Sequence, residues 1–125
     1  MKWNGQDGFL YVEVLVSLFI FSIAMLAIVP LFVAASTENA AAQDLTFATA
    51  IAQDRAEALK IASYSTLANG NDELVVHGIA FDRTWGVVND TPHAGMKTVT
   101  VTVTPQRSQA FGRARSATVS FYRVP

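Results

Sequence analysis

The chain has no cysteine, so disulfides, thiol catalysis and cysteine-ligated metals are excluded. That absence leaves the compartment open, because exported domains also manage without disulfides. Histidine is nearly missing too: His77 and His93 stand alone, without metal-ligand spacing. Charge is sparse. Only 15% of the 125 residues are charged and the formal net charge is −1, which gives no global reason for nucleic acid or an acidic substrate. There is no glycine-rich phosphate loop and no G-x-S-x-G elbow. Asp72, Glu73 and Asp90 lack the dense oxygen pattern of a calcium loop. Neither an enzyme, a metal site nor a cofactor is expected.

What the chain has is hydrophobic residues, 51% of the total, and they are unevenly placed. Between Glu13 and Glu38 lie 24 residues without a formal charge. As a helix such a run extends about 36 Å, enough for a hydrocarbon core of roughly 30 Å with some tilt. Lys2 precedes the run, and no Lys or Arg follows until Arg55. The positive-inside rule then places the N-terminus in the cytoplasm and the C-terminal part outside. Fewer than 90 residues remain after Thr37, enough for a modest core but not for a roomy cleft. Glu13 is the unusual residue. A carboxylate at the edge of an apolar span marks either the headgroup level or a specific partner.

The residues around Glu13 separate those readings. Gly8 and Phe9, then Glu13 and an apolar helix, resemble the processing motif of type IV prepilins and pseudopilins. That family has a short leader ending in glycine, commonly Phe as the first mature residue, and Glu at the fifth mature position. The resemblance implies a leader over 1–8, cleavage between Gly8 and Phe9 by a prepilin peptidase, and N-methylation of Phe9. It further implies an assembly half of the helix over 9–37, in which Glu13 and Pro30 serve assembly, and a periplasmic domain over 38–125. The expected fold is α+β and pilin-like, one long N-terminal helix packed on a small antiparallel sheet. The expected role is a structural subunit of a type IV pilus, of the minor type. A type II secretion pseudopilin is the alternative, and a single-pass anchored binding protein that never polymerises is a more remote one. The partners would be other pilin or pseudopilin subunits, the peptidase, an inner-membrane assembly platform and membrane lipid. The location would be the bacterial inner membrane and then the filament.

Two features depart from the family pattern. Lys2 is offset by Asp7 in the leader, and Ser22 stands where many members have glycine, eight residues before Pro30. A secretory signal cut near Val33, Ala34 and Ala35 competes with this reading. It would have an apolar core of 7–15 residues, shorter than the run seen here.

From 36 to about 63 the sequence is alanine-rich, without Gly or Pro, and predicts a continuing helix that ends within 63–68. Thr46, Thr49, Gln53, Glu57 and Lys60 form a polar stripe. Leu45, Ala48, Ala52, Ala56 and Leu59 form one apolar face, and Phe47, Ile51, Ala58 and Ile61 a second. Asp54, Arg55 and Glu57 read as a solvated or subunit-facing ion cluster. Residues 68–72 read as a cap and turn. Strands are predicted over 73–77, 79–88, 98–103 and from 116 to 122, giving a sheet of three to four strands. The stretch 78–87 with its following Val/Thr strand also looks like the C-terminal region of small minor pilins. Residues 38–90 hold eight acids and three bases, whereas 105–125 hold Arg107, Arg113, Arg115 and Arg123 with no acid. That asymmetry reads either as a charged, protected sheet edge or as a docking tail for an acidic neighbour. With only Phe111 among the arginines, the tail weighs against nucleic acid.

Overall fold

A computed structural model describes residues 5–106 and 115–125. The chain divides into two compact units, Met1–Glu38 and Asn39–Pro125. One helix, α1 (Gly5–Ile61), supplies the described part of the first unit and opens the second. Apart from Pro30, no residue after Gly8 in α1 is a strong breaker, and the helix runs on through Pro30. It begins at Gly5, upstream of Phe9.

The helix stops at Ile61, short of the predicted 63–68. Local hydroxyl chemistry supplies the reason. Ser63 O accepts both the backbone N–H and the Oγ1 of Thr66, at 3.0 and 2.9 Å, which winds Tyr64–Thr66 into a 3-10 turn. Arg123 Nη2 donates to Ala62 O at 2.9 Å and satisfies a carbonyl beyond the last turn.

Four strands follow: β1 (Gly70–Val76), β2 (Ile79–Asn89), β3 (Lys97–Pro105) and β4 (Ala117–Arg123). They form one antiparallel sheet in sequence order, so β1 and β4 are its edges. β1 starts at Gly70, inside the region predicted as a turn. Gly70 pairs with Trp85, whose indole lies where a Cβ on residue 70 would sit. The actual turn is His77-Gly78, both at positive φ, a two-residue hairpin matched to the strand twist.

Alternation divides the sheet into two faces. Phe81, Val99, Val101, Val103 and Ala117 are buried beneath Ala48, Ala52, Ala56 and Leu59 of α1. The first apolar face of the helix therefore faces the core. Three of its four buried residues are alanines. The second face is only partly used: Phe47 and Ile51 pack against the core margin, Ala58 is exposed and Ile61 is 86% exposed. On the outer face, Thr100 and Ser120 hydroxyls meet at 3.1 Å and Thr102 and Thr118 at 3.4 Å.

Candidate functional site

In the first unit, every residue from 8 to 36 is exposed, including the large apolar side chains from Phe9 to Val33. This helix is long and apolar enough to cross a membrane. Among the described residues nothing covers its surface from 8 to 36. Ser22 Oγ donates to Leu18 O at 2.7 Å, so its hydroxyl is satisfied without a partner helix. Pro30 has no N–H to give, which removes the intrahelical donor for Leu26 O. The helical assignment nonetheless continues on both sides of it.

Gly8 and Phe9 lie within α1, and a Cβ at Gly8 would meet nothing within 4 Å. Phe9 and Glu13 are one turn apart on the same helical face. Both are exposed, and no described residue hydrogen-bonds or ion-pairs with Glu13. In the intact chain the Phe9 nitrogen is a neutral amide. Only a cut after Gly8 would turn it into an amine able to answer a carboxylate.

The second unit carries polar chemistry on its inner face. Arg83 is buried on β2, and its guanidinium grips Asp72 of β1 with two donors, Nε to Oδ1 at 2.8 Å and Nη2 to Oδ2. Asp54 of α1 stands 4.0 Å from Arg83 Nη1 and is largely exposed. The hydrogen bonds from Arg83 hold the Asp72 carboxyl below the usual carboxylate range. The same bonds raise the Arg83 guanidinium above its ordinary value. Arg55 lies over the Trp85 ring, 3.9 Å from its centroid, and Trp85 Nε1 donates to Ala68 O at 3.1 Å. Thus the trio read as a surface cluster divides: Arg55 turns onto its own sheet, Asp54 leans on Arg83, and Glu57 stays exposed.

A second polar group lies at the other end of the strands. Lys97 Nζ donates to Tyr64 O at 2.9 Å, and Tyr64 OH donates to Gly95 O at 2.7 Å. These contacts tie the 3-10 turn to the β2–β3 loop. His77 is exposed at the hairpin with its ring 5.1 Å from Phe47, and His93 is exposed in a loop. Asp90 Oδ1 accepts from Gly95 N at 2.8 Å. Among the described residues no three His, Asp or Glu side chains are grouped to hold a metal ion. Lys2, Arg107, Phe111 and Arg113 lie outside the described residues. Of the basic tail, Arg115 precedes β4 and Arg123 closes it.

Sequence reasoning missed the inward Arg83. The hairpin carried the signal. A two-residue turn at His77-Gly78 pairs 76 with 79 and, by counting outward, 72 with 83. No protein-family model matches the chain, and comparison with curated proteins and with solved structures returns no match.

Proposed function

We propose that this chain is a pilin-like structural subunit, anchored by α1 and assembled with copies or relatives of itself rather than acting as an enzyme. The observation that carries the reading is the juxtaposition at the start of α1. Gly8-Phe9 stands near the start of α1, at the head of a stretch over 8–36 that is exposed throughout and holds one carboxylate, Glu13, one turn from residue 9. The same helix continues into a small core under a four-stranded antiparallel sheet, the α+β arrangement expected of such a subunit. In this reading a peptidase cuts after Gly8 and N-methylates Phe9. The amine on an incoming subunit then neutralises Glu13 of a neighbour, which relieves two desolvation penalties in lipid together. Pro30 softens the helix by one hydrogen bond where subunits must fit. The N-terminus lies in the cytoplasm and the sheet unit in the periplasm, before assembly into a filament. A minor pilin is the preferred subtype, with a type II secretion pseudopilin as the alternative.

The test has two steps. Intact mass of membrane-extracted protein is expected to show a chain starting at methylated Phe9, and a chain starting near Ser36 would replace the anchor with a secretory signal. Glu13→Gln is then compared with wild type for the ratio of this subunit in sheared filaments to that in membranes. Breaking a buried pair costs about 3–5 kcal/mol, so incorporation is expected to fall on the order of a hundredfold or more while cleavage survives. An unchanged ratio would remove the pairing mechanism.

A further inference from the structure

The two edges of the sheet differ in charge and are otherwise alike. β1 and β4 are each seven residues long, and each pairs with its inner neighbour one-to-one without a bulge. Neither contains proline or lysine. Among the described residues, no backbone hydrogen bond from outside the sheet reaches the outer side of either strand. Long, flat edges of this kind are templates for another strand, and proteins that stay monomeric usually blunt them with prolines, bulges or lysines. Here charge alone is left to do so, and it has opposite signs at the two edges. The charge β1 offers is the exposed Glu73, since its other acid, Asp72, is held by Arg83 of β2, whereas β4 ends in Arg123, whose Nη2 also reaches Ala62 O, and follows Arg115. Between 105 and 125 there is no acidic residue at all. Such charges deter an edge of like sign and favour the other one.

We propose that a second copy of this chain continues the sheet, with β4 of one subunit hydrogen-bonded to β1 of the next. Strand direction allows it without rearrangement. β1 and β3 run one way, β2 and β4 the other, so copies displaced along the sheet bring β4 against an oppositely directed β1. The joint is antiparallel, the better-bonded pairing. Two β1 edges or two β4 edges could also meet antiparallel across a twofold axis, but each would oppose like charges. The favoured contact is therefore head-to-tail and does not close on itself, so it propagates. Each copy would add four strands at about 4.8 Å, or roughly 19 Å of sheet. The inference concerns the sheet unit alone and requires neither leader cleavage nor Glu13.

The absence of cysteine makes the test clean. Glu73 and Ser120 are the midpoints of β1 and β4 and are both exposed. Within one subunit they are three strands apart, about 14 Å across the sheet, too far for a disulfide. Full-length protein in membranes carrying Glu73→Cys with Ser120→Cys is oxidised, or treated with a bismaleimide reaching about 10 Å to tolerate a two-residue slip of about 7 Å. The expected result is a ladder of dimers, trimers and larger species. Neither single variant should dimerise, and a mixture of the two singles should stop at the dimer. Asn71→Cys with Tyr122→Cys, both exposed and brought together by the same antiparallel register while Glu73 is kept, serves as a second edge pair, so a folding defect in one variant leaves the proposal testable. Dimers from either single variant would mean like edges meet, and would overturn the proposal. So would the absence of any ladder with both pairs, or an equal ladder from Glu57→Cys with Asp90→Cys, two exposed positions off the edges. Because the Glu13→Gln variant can be oxidised in the same way, loss of filament incorporation and loss of edge pairing are read separately.

Discussion

The two units of this chain stand in opposite relations to their surroundings. From 8 to 36 every residue is exposed, and the hydrogen bonds seen there lie within the helix itself. From Asn39 onward, α1 becomes one wall of a core in which Phe81, Val99, Val101 and Val103 are fully buried. One continuous helix therefore passes from a segment whose energetics lie outside the molecule to one whose energetics lie within it. Composition alone makes the change: the large apolar side chains before residue 34 would over-fill the interface that Ala48, Ala52 and Ala56 occupy. The difference teaches where each kind of mutation should be read: away from the folding transition for the first unit, in folding for the second.

Removing a large buried group should separate the units most sharply. Phe81→Ala is expected to destabilise the sheet unit by about 3–5 kcal/mol, measured by urea denaturation in detergent with near-ultraviolet circular dichroism. Leu26→Ala, at a site 76% exposed, should leave that transition where it was. A shift with Leu26→Ala would show the first unit supporting the second. Next in size is Arg83→Ala, which strands Asp72 and removes the group Asp54 leans on. Because Asp72 is 38% exposed, about 2–3 kcal/mol is expected instead of the full buried-pair value.

Glycine gives a matched pair with a smaller effect. Gly70→Ala drives a methyl into the Trp85 indole and should cost about 1–2 kcal/mol. Gly8→Ala meets nothing and should not alter folding, whereas a bulky residue at position 8 should leave uncleaved precursor if the peptidase reading holds. The smallest expected effect is on pH. Asp72 is held below the ordinary carboxylate range, so its contribution is complete above that range and is lost as pH falls through the lowered value. Exposure keeps it under about 1 kcal/mol. Asp72→Asn should lower stability at neutral pH and flatten the acid limb of the urea midpoint against pH. An acid limb unchanged by the substitution would assign acid sensitivity to other carboxylates.

Much of this arrangement is legible in sequence, for identifiable reasons. The Thr-Val alternation of 98–103 leaves no choice of face, and Val99, Val101 and Val103 are buried as that period requires. The helix face of Leu45, Ala48, Ala52, Ala56 and Leu59 follows equally from its period, and the fourth strand resolves the predicted three to four. Failures occur where local polar chemistry overrides pattern. Ser63 and Thr66 form their own turn and end the helix early. Asn71 and Asp72 look like turn residues but lie in β1, because Trp85 covers Gly70 and Arg83 takes Asp72. A periodic reading turns charges outward by default, which hides Arg55 on the helix and hides Arg83 unless the hairpin register is counted out. For the first unit the sequence motif carries the argument, since a helix without internal contacts adds geometry but no new partner.

The four buried residues Ala48, Ala52, Ala56 and Leu59 recur along nearly the whole helix–sheet interface. Their spacing, one residue per turn on a single face, decides how the second unit would answer mechanical force. Tension along the axis of α1 must slide this row past the valines of β3, so the interlocked contacts are loaded together rather than peeled away one by one. Resistance of that kind belongs to the unfolding barrier, which governs forced rupture, rather than to equilibrium stability. A helix drawn along its axis would therefore hold its sheet far longer than one lifted from its end.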